Sequence, residues 1–532
     1  MKQHHKVTLV LCAIWMATVF YGEMLAFWMP SLWSCSWPHL LNPSINGGDT
    51  SSGYAKIAVI TDVQLMDSTS LRLPPKSLGL EFAQFYTDLY MRRAFFESVL
   101  PFKPDVVLFL GDFFDGGPFM SDEEWQESLQ RFKHIFGLNV EERHRNIQVR
   151  SIPGNHDVGY ASIMSHKREV VRRYEKEFGT RNYGFTVGKV EFVAVDAQTL
   201  DGQPRGNLSY NSWELVKIVS EDVQVLPRVL LTHIPLYRPD HTLCGPHRNS
   251  PIINQRISYS AYTQEVVYQN YLSEESSKRL LELIKPVLVL SGHDHDQCTV
   301  THSSKFGTAK EHTVGTFSWQ QGNLYPSFML LSASNTLNTS TSFPEEAVLT
   351  QLCFLPMQTH IYIWYLCLLA LTLIAGLFWP SSGIDFGHPL SGLMSFVRLY
   401  GGMFGGGTKE KVDEDCEYEM MWDAEGTMHL VKKSRNMPPP SPNDRASVER
   451  GNAVMRPTAK RISSQDLEAA ENTDSNGSGE FDPLIKLGHR TSKSRTKMII
   501  QRLVRAFLMV SVIAAVNVPI YMMLLFKDWV DK

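Results

Sequence analysis

Val106-Val-Leu-Phe-Leu-Gly-Asp-Phe-Phe-Asp115 runs five apolar residues into a glycine and two aspartates. An unbroken run of Val, Leu and Phe has the character of a strand buried on both faces, because a half-exposed strand would alternate apolar and polar residues. The glycine then allows a sharp turn, and the aspartates stand where the strand ends. The same grammar recurs along the chain. Ile57 to Ile60 leads into Asp62-Val63-Gln64, and Val149 to Ile152 into Gly154-Asn155-His156-Asp157. Val229 to Leu231 leads into Thr232-His233, and Val287 to Leu290 into Ser291-Gly292-His293-Asp294-His295. Val190 to Val195 is a further run of this kind, while Glu81 to Leu100, Glu123 to Phe136 and Lys167 to Phe178 carry helical spacing. Strands alternating with helices predict an α/β layered fold, which places its sites at strand ends.

The residues at those ends are carboxylates, carboxamides and imidazoles, with no thiolate. That donor set suits hard or borderline divalent ions rather than a structural cysteine–zinc site. Alone, a Gly-Asp after a strand is a turn and a Gly-Asn-His is a loop. Five such pieces, each directly after a strand, point to one metal-dependent site.

This order resembles the calcineurin-like metallophosphoesterases, whose pattern is D-x-H, GD-x-x-D, GNH[DE], H and GH-x-H. The match covers roughly residues 56–334. The resemblance implies an α/β metallophosphoesterase-type β-sandwich flanked by helices and a pair of divalent metal ions, with Mn²⁺ as the expected metal. Carried over position by position, Asp62, Gln64, Asp112 and His295 hold the first ion. Asp112, Asn155, His233 and His293 hold the second, with Asp112 bridging, as a carboxylate can and an imidazole cannot. His156 is the general acid beside the leaving oxygen, and Asp115 orients its ring. Gln64 departs from the usual histidine; a carboxamide oxygen still ligates, but as a weaker donor.

A closer resemblance lies in the flanks: Pro104 to Asp112, Gly154 to Gly159, His233-Ile-Pro-Leu-Tyr-Arg238, Tyr268-Gln-Asn-Tyr-Leu272 and Thr316-Phe-Ser-Trp319. These are similar to the cell division control protein 1 family. That resemblance implies a phosphodiesterase of the endoplasmic reticulum and Golgi, which removes ethanolamine phosphate from the second mannose of the GPI glycolipid on GPI-anchored proteins. Assistance to the cargo machinery of export is implied with it. Two alternatives stay open on the residues: the same chemistry on another lumenal phosphodiester, and a catalytically weak cargo receptor with the same fold.

Composition bounds these readings. Across 532 residues, 51 Lys+Arg against 55 Asp+Glu leave a net charge of −4, which excludes a dedicated nucleic-acid binder. Seven cysteines exclude a disulfide-dense scaffold. Three apolar runs predict two or three transmembrane helices in a lipid bilayer: Val7 to Met29, Ile361 to Trp379, and Ala506 to Phe526 with Asn517 and Pro519 inside it. Lys2 and Lys6 precede the first run and no Lys or Arg follows before Lys56, which sets the N-terminus in the cytosol and the large domain in the lumen. The expected layout is a signal anchor (1–30), a linker (31–54), a lumenal catalytic domain (55–345), a span (358–380), a largely disordered cytosolic loop (381–505) and a third apolar run (506–526), either kinked or re-entrant.

Some residues stay unassigned. Cys35, Cys244, Cys298 and Cys353 share the lumenal side, with their pairing open, as do the sequons at Asn207 and Asn338. Tyr237 and Arg238 read equally as phosphate contacts or surface residues. Phe317 and Trp319 read as core, and His302 and His312 as structural residues of a hairpin. Glu23 is a charge inside the first apolar run, with no partner legible.

Overall fold

The computed structural model describes residues 3–41, 53–71, 73–138, 147–202, 207–248, 256–336, 344–378, 418–422, 428–432 and 488–530. The strands are β1 (Tyr54–Ile60), β2 (Val106–Phe109), β3 (Gln148–Ser151), β4 (Tyr183–Val187), β5 (Val190–Ala194), β6 (Arg228–Leu231), β7 (Ile257–Tyr259), β8 (Val266–Gln269), β9 (Leu288–Ser291), β10 (Cys298–Ser304), β11 (Gly307–Thr313), β12 (Ser327–Ser334) and β13 (Val348–Phe354). They build two main sheets, ordered β13-β12-β1-β2-β3 and β10-β11-β9-β6-β5-β4. β1, β2 and β3 run parallel, as do β5, β6, β9 and β11.

Side chains on a strand alternate between faces, and the alternation explains the sandwich. Ile57, Val59, Val106 and Leu108 face the second sheet, where they pack with Phe192, Val229, Leu231 and Leu290. Their neighbours Ala58, Ile60, Val107 and Phe109 face the helices, among Phe95, Trp125, Phe132 and Phe136. Both faces are buried, so the strands read as continuous apolar runs. The predicted α/β class with a metallophosphoesterase-type sandwich is what the chain adopts.

The expected boundaries shift in three places. The domain does not end at 345, because β13 pairs along β12 from Ser327↔Phe354 to Ala333↔Val348. Residues 31–41 are not linker: Trp37 is buried in the core, His39 Nδ1 lies 2.7 Å from Ser332 Oγ, and Cys35 is bonded to Cys353. These contacts bridge some 300 residues of sequence, beyond the reach of a local pattern. The last apolar run belongs to one helix, Gly488–Trp529, which carries Pro519 within it and begins inside the stretch read as loop.

Three helices are long and apolar enough to cross a membrane: His5–Ser34, Gln358–Phe378 and Thr496–Trp529. The first and third meet the helix Leu78–Arg93 through Arg93. The buried Arg93 guanidinium pairs with Glu23 of the first, and its Nε lies 2.8 Å from Asp528 Oδ2 of the third. Tyr365 of the second donates to Glu23 Oε1 at 2.9 Å. Glu23 therefore has partners, and it is compensated rather than stranded in an apolar run. A separate unit, Pro380–Thr496, holds a hairpin of β14 (Tyr418–Trp422) and β15 (Met428–Lys432), built from β-prone residues.

Candidate metal centre

Every sequence-predicted site residue stands just beyond a strand. Asp62 and Gln64 follow β1, Asp112 and Asp115 follow β2, and Asn155 and His156 follow β3. His233 follows β6, and His293 and His295 follow β9. The turns are tight: Asp62 (φ 50°), Gln64 (φ 41°), Asp112 (φ 56°), His293 (φ 70°) and His295 (φ 57°) all hold left-handed backbone. Each such residue costs on the order of 1–3 kcal/mol, a strain that concentrates at functional sites. Glycines make the room. A Cβ on Gly154 would run into Asp112 Oδ1, and one on Gly292 into Thr61 Oγ1.

The turns aim the side chains at one place. Asp112, His233 and His293 present ligand atoms within 4.8 Å of one another, and so do Asp62, Asp112 and His295. Asp112 belongs to both groups. Asn155 Oδ1 lies 3.2 Å from His233 Nε2. Gln64 Nε2 donates to Asp112 Oδ2 at 3.1 Å, while its Oε1 is buried with no partner among the described residues. An orphaned buried acceptor beside two carboxylates is what a cation would satisfy.

Backbone carbonyls set the rings. His233 Nδ1 lies 2.7 Å from the Leu110 carbonyl, which leaves Nε2 to face Asp112 Oδ2 at 3.2 Å. His293 Nε2 lies 3.0 Å from the Gln269 carbonyl, which leaves Nδ1 free. A ring N–H held by a carbonyl fixes the tautomer, as ligand histidines require. His156 is held by Nδ1 against the main-chain carbonyl of Asp115, and the Asp115 carboxylate stands 3.7 Å from the same nitrogen. The orienting group expected from Asp115 is thus chiefly its backbone.

Charge completes the fit. Burial pushes the Asp62 carboxyl up to about 7, with Asp112 adding to the rise. Burial also raises Asp157 to about 7. Burial and the neighbouring His233 push His293 down to about 3, and burial takes His295 to about 4, so both are neutral donors. At His233 burial is outweighed by Asp112, which lifts the ring to about 9. A proton between Asp112 and His233 there does the work of a cation. The residues fit a divalent-metal pair: oxygen and imidazole donors, one shared carboxylate, one unsatisfied amide oxygen.

Asp157 is a further functional residue, one that no ligand or acid role in the motif pattern marks out. Its buried carboxylate accepts from the backbone N–H groups of Asp112, Phe113 and Gly154, each at 2.8 Å, and so clamps two ligand turns together. The motif Gly154-Asn155-His156-Asp157 contains it, but two of its three donors, Asp112 and Phe113, lie about 45 residues away. Of the two readings of Arg238, the surface residue is the one the structure overturns. Arg238 is buried, 3.6 Å from Asp294 and 3.8 Å from Glu311, and bonded to Thr313. Tyr237 is half-buried beside Ser277. Phe317 is core, and the half-buried Trp319 packs against that core and edge-on against Tyr362 of the second apolar helix. His302 pairs with Glu311 at 2.7 Å and His312 with Thr299 at 2.9 Å in the β10–β11 hairpin. Asn207 opens the helix Asn207–Glu221, and Asn338 lies outside the described residues.

Residues 55–297 match the family described as calcineurin-like phosphoesterase. The chain is similar to cell division control protein 1 of Saccharomyces cerevisiae, at 30% identity over 342 residues, covering 62% of this chain and 67% of the relative. It is 28% identical over 384 residues to metallophosphoesterase 1 of Ailuropoda melanoleuca, covering 69% and 88%. It is also 28% identical over 380 residues to metallophosphoesterase 1 of Mus musculus, covering 68% and 85%.

Proposed function

The chain belongs to the calcineurin-like metallophosphoesterase family, and from that premise we propose that this metal-dependent phosphoric ester hydrolase is a phosphodiesterase of membrane glycolipids. Its substrate is the ethanolamine phosphate on the second mannose of GPI anchors, its ions are Mn²⁺, and its catalytic domain faces the lumen of the endoplasmic reticulum and Golgi. The single observation that carries the chemistry is the pair of ligand groups sharing Asp112 beside His156. The flanking motifs shared with the cell division control protein 1 family support the substrate.

Asp62, Gln64, Asp112 and His295 would hold one ion, and Asp112, Asn155, His233 and His293 the other. Bound there, the ions supply positive charge at the phosphate oxygens and lower the pKa of a water. The rest falls to side chains. Water adds to phosphorus and the bond from phosphorus to the mannose oxygen breaks, giving ethanolamine phosphate and a free mannose hydroxyl. His156 gives that oxygen its proton. With Nδ1 engaged by the Asp115 carbonyl, Nε2 is the ring nitrogen left for the task. Burial lowers the His156 pKa, but the carboxylates of Asp112 and Asp115 outweigh it and raise the ring above its ordinary value, which favours the protonated form a general acid needs.

The positive-inside pattern supports the orientation. The C-terminal part of the first apolar helix, the start of the second and the end of the third all meet the catalytic domain, as three alternating spans require. Mass spectrometry of GPI anchors from cells lacking this protein tests the reading. Ethanolamine phosphate retained on the second mannose, and lost again on re-expression, is the expected result. Unchanged anchors would remove the GPI substrate.

A further inference from the structure

The helix Leu78–Arg93 has two unlike halves. Its C-terminal half lies over the ends of the apolar helices. Phe85 packs on Trp529 with ring centroids 5.1 Å apart, Tyr90 donates to the Pro356 carbonyl at 2.9 Å, and Arg92 and Arg93 engage Asp528. Just beyond it, Glu97 accepts from Trp28 at 2.6 Å. The N-terminal half reaches past this cover. Leu78 is 74% exposed and Phe82 64%. Leu78, Phe82 and Phe85 stand at i, i+4 and i+7, so the two exposed side chains extend the stripe that Phe85 begins against Trp529. Leu71 and Leu73, on the preceding segment, are exposed as well, and Leu73 leans on Gly79 at the start of the helix.

We propose that Leu71, Leu73, Leu78 and Phe82 form an interfacial patch that dips into the bilayer beside the spans, so that the metal centre takes phosphodiesters of membrane-resident lipids from the leaflet on its own side. Trp529 ends the helix Thr496–Trp529 and so marks the level of the membrane boundary. A helix fastened there at Phe85 and Arg93 places its free apolar end at the same level, where apolar side chains gain by leaving water. The patch is also wired to the site. Gln84 Nε2 donates to the Met66 carbonyl at 3.0 Å, and Met66 is two residues from Gln64, at most about 7 Å of chain. The helix that rests on the lipid therefore braces the turn that carries a ligand. The lipid contact stands independently of the catalytic reading. The consequence for substrate rests on it.

The test uses the full chain in nanodiscs of phosphatidylcholine and phosphatidylethanolamine. An environment-sensitive NBD label is placed at Phe82→Cys, or at Val223→Cys, which is 87% exposed, with Cys12, Cys367 and Cys416 replaced by serine. Doxyl-labelled lipid should quench the label at 82 at least about threefold more than the one at 223, and aqueous iodide the reverse. Equal quenching at both positions overturns the patch. The double variant Leu78→Ser/Phe82→Ser should hydrolyse soluble bis(p-nitrophenyl) phosphate as the parent does, and GPI glycolipid in the same nanodisc roughly tenfold more slowly. Equal loss on both substrates, or on neither, overturns the proposed approach of the substrate. A parent that cleaves no phosphodiester refutes the catalytic reading, and the quenching still judges the patch.

Discussion

Two of the regions that bury charge treat it in opposite ways. At the join between domain and apolar helices, Arg93 is saturated: it pairs with Glu23 and Asp528 and donates to the Leu524 carbonyl. At the metal centre Asp62, Asp112 and Asp157 crowd together, the Gln64 Oε1 is orphaned, and five ligand-type residues hold left-handed backbone. A region that closes its own charge balance is a fastening. One that leaves it open, and spends backbone strain to do so, is shaped for something that arrives from outside.

Removing a residue from each region sharpens that contrast. Asp112→Ala strikes the open one at its shared ligand. Loss of both ions should lower the hydrolysis of bis(p-nitrophenyl) phosphate by several kcal/mol of barrier, about 10³- to 10⁴-fold, with metal analysis reading near zero. Two ions retained would break the assignment of Asp112 to both groups. Glu23→Ala strikes the closed region and leaves Arg93 short of a partner. The cost should be about 3–5 kcal/mol of stability, read as a lower Tm in detergent, with the metal stoichiometry of the folded protein unchanged. A silent Glu23→Ala would mean the fastening carries no load.

Smaller effects separate the roles within the centre. His156→Ala should cost about 10²- to 10³-fold in kcat with both ions in place, and a loss of metal instead would recast it as a ligand-positioning residue. Asp157→Asn keeps the size and loses the charge that receives three backbone donors. A drop of roughly 10- to 100-fold in metal affinity is expected, read by chelator competition. An unchanged affinity would leave Asp157 a purely structural clamp.

The sequence made the centre legible because each ligand sits within five residues of an apolar run, so strand and chemistry are read together. His233 shows the rule: Val229 to Leu231 announces the strand and the imidazole follows. The fastening had no such signature. Glu23 and Arg93 are 70 residues apart, and Arg93 and Asp528 435. The burial of Arg238 is illegible for the same reason, since Asp294, Glu311 and Thr313 come to it only through the second sheet. β13 was missed because its pairing with β12 defines it, while its own residues alternate too weakly to announce a strand.

The bond between Cys35 and Cys353 has a mechanical consequence. It closes 318 residues of sequence into a ring whose two ends leave at one covalent knot, just after the first apolar helix and just before the second. Covalent tension between those two helices passes through the knot at β13 rather than along the 318 residues between the cysteines. The knot therefore fixes the spacing of the first two helices at the foot of the domain, while Arg93, Tyr90 and Trp319 remain the contacts through which the domain feels how the helices tilt.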